Sequence, residues 1–287
     1  MECRTDLALE AVADSGLSSD ITQEVSQAGE ATITRIVVGS ERAAREIGKP
    51  PGTYITVEVP PLSDNEELLE QHAQAIAGEL RGLLPKEGTV LVIGLGNSSI
   101  TPDALGPQAA DMVLATRHIR GEFARSMGLD DLRPTAVLTP GVLGQTGVES
   151  GEMAAGLCSA VKPAAVIAVD ALAARSLSRL GCTVQLCDTG ISPGSGVGNN
   201  RRALTEELLG VPVIGMGVPT VVDAATIARE LTGDAAADIV NPRGASMIVT
   251  PREVDLVIRR AARLVAMAIN AALQPEYSPL ELIAAAV

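Results

Sequence analysis

The chain has 287 residues, 35 Asp and Glu against 22 Lys and Arg, a formal net charge of −13, 46% apolar residues and 1% aromatic ones. A chain of this length and apolar fraction buries a core and is not disordered. Its acidity argues against neutralising nucleic-acid phosphates, and one Phe, two Tyr and no Trp leave no platform for stacking bases. The start, Met1-Glu2-Cys3-Arg4-Thr5-Asp6, lacks the basic-then-apolar pattern of a secretory signal. No apolar run reaches the roughly 18 residues of a membrane helix, because Arg259, Arg260 and Arg263 interrupt the most apolar helical stretch. A cytoplasmic protein with no membrane partner is expected. Cys3, Cys158, Cys182 and Cys187 form no CxxC pair and read as buried thiols.

Residues 31–38 and 53–59 are rich in β-branched side chains and read as strands, with a helical patch at Glu41–Ile47 and a Pro50-Pro51-Gly52 turn between them. Ser63-Asp64-Asn65-Glu66 reads as a capping box ahead of a helix carrying Leu69, Ile76, Leu80 and Leu83 on one face. From residue 89 the pattern becomes apolar runs ending in polar or Gly-rich turns: 89–93, 165–169, 183–186 and 213–216. Helical stretches are expected at about 107–119, 150–161, 171–179, 203–209 and 223–231. A last helix is expected to start at Thr250-Pro251-Arg252-Glu253, a second capping box. Apolar strands alternating with helices predict an α/β fold, a mainly parallel sheet covered on both faces.

In open parallel sheets ligands gather at the carboxyl ends of the strands. Two carboxylates stand there. Asp103 lies in the loop after the 89–93 strand, and Asp170 directly follows the 165–169 strand, where an ionisable group interrupts an apolar run. If the fold brings them together they share one proton, so one can act as base on a water and the other as acid. A turn-forming or capping role is the ordinary alternative for each. Gly94-x-Gly96 lacks the third glycine of a dinucleotide fingerprint, since Ser99 stands there. The Gly190–Asn200 loop, with Ser195 and Gly196, offers backbone N–H groups for an anion but no Gly-x-Ser-x-Gly or Gly-Lys-Ser/Thr. His72 and His118 fall on or near helices, which argues against a His-based triad or a His-rich metal site.

Several ordered segments together resemble the spore germination protease family: Arg4-Thr5-Asp6-Leu7-Ala8-Leu9-Glu10, Gly94-Leu95-Gly96-Asn97, Thr101-Pro102-Asp103-Ala104-Leu105-Gly106-Pro107, Thr116-Arg117-His118, 140–149, Asp170-Ala171-Leu172-Ala173-Ala174-Arg175-Ser176, 193–199, 217–224 and 249–255. The resemblance covers nearly the whole chain. It implies an atypical aspartic endopeptidase that degrades the small acid-soluble proteins of spores, with a three-layer α/β/α sandwich similar to hydrogenase-maturation proteases. It implies Asp103 and Asp170 as the catalytic pair, with no metal and no cofactor. It also implies a zymogen that cuts itself after an acidic residue preceding a hydrophobic-Ala-x-Glu sequence. Asp6 before Leu7-Ala8-Leu9-Glu10 fits that pattern, so Asp6–Leu7 is the expected scissile bond. Residues 1–6 then form a short propeptide and 7–287 a single protease domain, with the 31–59 β-rich section packed on it. Asn97, Ser195 and Gly196 are candidate substrate or oxyanion contacts. A homotetramer acting in the forespore or spore core is expected, with no direct nucleic-acid partner. The alternative readings are a metal-dependent maturation peptidase of the same fold and a non-catalytic nucleotide- or phosphate-binding α/β protein.

Overall fold

The computed structural model describes residues 5–15, 18–64, 68–119, 121–126, 129, 131–194, 201–232 and 247–286. The chain begins with helix α1 (Ala8–Ser15), the hairpin β1 (Ile21–Ala28) and β2 (Ala31–Val38), helix α2 (Glu41–Ile47), strand β3 (Gly52–Glu58) and helix α3 (Leu69–Leu83). Then follow β4 (Val90–Gly94), a 3-10 turn at Thr101–Asp103, α4 (Leu105–Asp111), α5 (Gly121–Ser126), β5 (Thr135–Leu138), α6 (Leu143–Thr146) and α7 (Ser150–Val161). The remainder is β6 (Ala165–Ala174), a 3-10 turn at Leu177–Arg179, β7 (Thr183–Cys187), α8 (Glu206–Leu209), β8 (Val213–Asp223), α9 (Ala224–Thr232), β9 (Ile248–Val249), α10 (Val254–Leu273) and α11 (Pro279–Ala286).

The strands form one nine-stranded sheet in the order β1-β2-β3-β7-β8-β6-β4-β5, with β9 added at the end of β8. β5, β4, β6 and β8 are parallel, as the alternating pattern after residue 89 predicts. β7 enters antiparallel to β8 and carries β3, β2 and β1 as an antiparallel wing. The 31–59 section therefore extends the same sheet.

Alternation along each strand sends side chains to two cores, which makes the three-layer arrangement. Val90, Val92, Ile167, Val169, Ile214 and Met216 meet α3, α4 and α10 on one face. Leu91, Ile93, Val166 and Ala168 meet α7 and α8 on the other, and Ile36, Val38 and Tyr54 meet α1 and α2 farther along that second face. Each fully buried Leu or Ile in these layers contributes about 1.5–3 kcal/mol. Asp170 has the parity of Val166 and Ala168, so it faces the second layer.

Several expectations are corrected. Residues 171–174 continue β6 instead of opening a helix at 171, because they pair with β8 as far as Ala174 and Val222 across a bulge at Leu172/Ala173. Sheet pairing there overrides the helical propensity of an Ala-rich run, and only the short turn at Leu177–Arg179 is helical. Asp170 accordingly lies inside a strand and not after its end. The first predicted capping box runs into residues 65–67, outside the described residues, and α3 starts at Leu69 with no side-chain cap. The second stops short: Glu253 is the cap residue of α10, again without a side-chain cap bond. The predicted 107–119 helix is the shorter α4, whose end is fixed by α10: Asn270 Oδ1 accepts from Leu114 N at 2.9 Å and its Nδ2 donates to Met112 O at 3.0 Å. The described cysteines, Cys158, Cys182 and Cys187, are free, and Cys182 is only half-buried.

Candidate active site

β4 ends at Gly94, and the chain turns through Leu95-Gly96-Asn97 into the 3-10 turn that ends at Asp103. Gly96 makes this possible: it has φ +118°, and a Cβ there would stand 2.0 Å from the Asp103 carbonyl oxygen. Asn97 N donates to Asp103 Oδ2 at 2.8 Å, and Thr220 Oγ1 fixes the same turn by donating to Pro102 O at 2.8 Å. Asp170 stands on β6 beside Gly217 of β8, is 4% exposed, and accepts from Ala171 N at 2.9 Å. Asp103 and Asp170 line one cleft of about 330 Å³ together with Asp6, Arg201 and Thr220.

Burial raises the Asp170 carboxyl well above the ordinary carboxylate range, and the charges of Asp103 and Asp6 push it further; Ala171 N–H and Arg201 oppose this. Burial also raises Asp103, moderated by the Asn97 N–H and by Arg201. The fold thus places both expected carboxylates on one cleft, where burial favours the protonated form of each.

Beside the cleft lies the chain's own N-terminal segment, residues 5–10, with Asp6 in the cleft lining. Asp6 N donates to Ala173 O at 2.9 Å, and Ala173 N returns a bond to Asp6 Oδ2 at 2.8 Å. Leu7 is fully buried against Leu172, Ala174 and Val222. Ala8 is fully buried too, and its N–H donates to Gln185 Oε1 at 2.7 Å. Leu9 is half-buried. The Glu10 carboxylate accepts from Arg175 N at 2.8 Å and Ser176 N at 2.9 Å, and from the Thr5 hydroxyl. The Asp6 carbonyl accepts from Gln185 Nε2 at 2.8 Å and Lys49 Nζ at 3.1 Å.

Of the other candidates, Asn97 acts on Asp103 through its backbone, while its Oδ1 accepts from Ser99 N at 3.0 Å and Gln145 Nε2 at 2.8 Å. Ser195 and Gly196 lie outside the described residues. Among the described residues no group of three or more His, Cys, Asp and Glu could hold a metal ion, and no helix is long and apolar enough to cross a membrane. His72 is buried on α3. Sequence reasoning missed Lys49, Gln185 and Arg201. Gln185 gave the same signal as Asp170, a polar residue interrupting an apolar strand (Thr-Val-Gln-Leu-Cys), whereas nothing in Gly-Lys-Pro-Pro-Gly marks Lys49 as a buried group.

Two carboxylates line one cleft beside the parallel strands of an α/β protein, and the turn before α1 is bonded through Asp6 to the continuing edge of β6. The model of the germination protease family matches residues 10–235. The germination protease of Caldanaerobacter subterraneus subsp. tengcongensis is 40% identical, covering 97% of this chain and 96% of its own. That of Clostridium acetobutylicum is 38% identical, covering 95% of each, and that of Bacillus mycoides 35%, covering 94% and 93%. Among solved structures, a [NiFe] hydrogenase maturation protease, HycI from Thermococcus kodakarensis, matches with a TM-score of 0.39 and 19% identity, covering 68% of this chain and 99% of that one. The chain belongs to the germination protease family, and so is a peptidase with a role in spore germination.

Proposed function

We propose that this chain is an aspartate-dependent endopeptidase that cuts its own Asp6–Leu7 bond and then small acid-soluble spore proteins, after an acidic residue that precedes hydrophobic-Ala-x-Glu. The observation that carries this reading is the seating of residues 6–10. The acidic side chain meets a backbone N–H, the Leu is engulfed, the Ala is fully buried, the next residue is half-open, and the Glu carboxylate is gripped by two consecutive N–H groups. Each position of the motif has a contact of the matching chemistry.

In the proposed reaction the shared proton rests on Asp170, whose ionisation is opposed by burial and by two neighbouring carboxylates. Asp103, whose anion accepts the Asn97 N–H, is the base. Asp103 takes a proton from water as its oxygen bonds to the carbonyl carbon. Asp170 gives its proton to the leaving nitrogen as the C–N bond breaks. Before the cut, Asp6 stands in the lining of the cleft, which supports zymogen behaviour. A homotetramer in the forespore or spore core completes the reading, on the resemblance alone.

Mild acid incubation followed by N-terminal sequencing tests it. A new terminus at Leu7 is expected, and Asp103→Asn or Asp170→Asn should slow its appearance by roughly 100- to 10,000-fold. Full processing by either purified variant would sink the assignment.

A further inference from the structure

Lys49 follows α2 and its αL cap residue, Gly48, in a turn closed by Pro50. It could extend into solvent, as lysines ordinarily do, yet its Nζ is turned inward and donates to two consecutive carbonyls, Thr5 O at 2.9 Å and Asp6 O at 3.1 Å. Burial lowers its pKa, against the charges of Asp6, Cys187 and Glu10 that hold the proton on. Gln185 approaches the same carbonyl from the sheet. Its amide is bracketed, Nε2 donating to Asp6 O and Oε1 accepting from Ala8 N, so the two partners fix which end is which.

Register places this contact relative to the carboxylates. Asp170 pairs with Gly217, and Gly217 pairs with Gln185, so the three form one row across β6, β8 and β7. The outer two Cα atoms are about 10 Å apart at the usual strand spacing. The middle residue has no side chain, the space above it being taken by the Leu172 side chain, and the Asp170 and Gln185 side chains line the same cavity as Lys49 and Asp6.

We propose that Lys49 and Gln185 are catalytic residues that form the oxyanion site, stabilising the negative charge that develops on the carbonyl oxygen of the residue before the scissile bond. This rests on the reading of Asp103, Asp170 and the Asp6–Leu7 bond given above. As the water oxygen bonds to the Asp6 carbonyl carbon, the C=O electron pair moves onto the oxygen facing Nζ and Nε2. When the C–N bond breaks, that pair returns to the carbonyl. Lys49 keeps all its protons throughout. Preorganised donors at such an oxygen are worth roughly 100- to 1,000-fold in rate each. The role assigns to these two side chains what the Asn97 side chain, engaged with Ser99 and Gln145, was expected to supply.

The test uses full-length protein and two readouts: the first-order rate of forming the Leu7 terminus, by intact mass, and hydrogen-exchange protection of the Ala8 amide, which reports whether the segment stays docked. Lys49→Met is expected to slow processing roughly 100-fold or more with Ala8 protection retained, and Lys49→Arg to recover part of the rate. Gln185→Glu, which keeps the acceptor for Ala8 N but removes the donor to Asp6 O, should slow processing likewise and provides the answer if Lys49→Met does not fold. Rates within threefold of wild type overturn the proposal. A rate loss that merely follows loss of protection also overturns it, since the residues would then be anchors. Processing that survives in Asp103→Asn, or no Leu7 terminus in the wild type, defeats the parent reading instead and is recognised by that control.

Discussion

Glu10 offers a quantitative test of how the N-terminal segment is held. Its two carboxylate oxygens accept from consecutive N–H groups, Oε2 from Arg175 at 2.8 Å and Oε1 from Ser176 at 2.9 Å. Glu10→Gln keeps size and shape but leaves one carbonyl oxygen, so one N–H then faces an NH2 group. A hydrogen bond to a charged group is worth about 1.5–3 kcal/mol net, or roughly 10- to 150-fold in an equilibrium. The segment should therefore open that much more often. Measured in an Asp103→Asn background, so that residues 1–6 stay attached, Ala8 N–H protection should fall by that factor; Ala8 bonds Gln185 and not Glu10, so it reports docking and not the altered contact. Unchanged Ala8 protection would refute the view that Glu10 anchors the segment.

Other expectations follow from the same geometry. Ala8→Leu enlarges a fully buried side chain and should weaken docking by about 1–3 kcal/mol, and a peptide substrate with Leu in the corresponding place should be cut more slowly than the Ala peptide. Gly96→Ala forces a side chain onto the Asp103 carbonyl at φ +118°; strain of about 1–3 kcal/mol should displace the turn, so that processing fails while the far-ultraviolet circular dichroism spectrum is kept. Processing should decline as pH rises through the raised titration range of the Asp103/Asp170 pair, because the shared proton is then lost; a flat profile there contradicts the shared-proton mechanism. Because the folded-state pKa of Asp170 is raised, the stability linked to it is fully present in acid and is lost as pH rises from its unfolded value through the folded one. Asp170→Asn should thus be more stable than wild type at neutral pH by about 1–3 kcal/mol, with the two melting curves converging near about pH 4.

The parallel block was legible because its strands are buried on both faces and read as unbroken apolar runs. β1 was not: all but its first and last residues are exposed, so Thr-Gln-Glu-Val-Ser-Gln shows no apolar alternation, and Gly29-Glu30 joins it to β2 by pairing that only the fold reveals. β5 was too short a signal, and residues 171–174 were misread because four small or helix-favouring residues become a strand only through β8. Asp103 and Asp170 stood out as polar residues after apolar runs. Lys49 could not, since the contacts that turn its Nζ inward come from the distant Thr5 and Asp6 carbonyls and not from its neighbours in sequence.

The seating of Leu7–Glu10 has a consequence for the processed enzyme. On the proposed reading, cutting at Asp6–Leu7 would release residues 1–6 but leave Leu7 and the first turn of α1, Ala8–Glu10, in the contacts assigned to a substrate chain. They would then be a tethered competitor, present at an effective concentration on the order of millimolar. Substrate must displace them or meet a cleft from which they have swung away. The apparent affinity for substrate is then set by how readily this stub lets go, and trimming residues 7–10 should lower KM with little change in kcat.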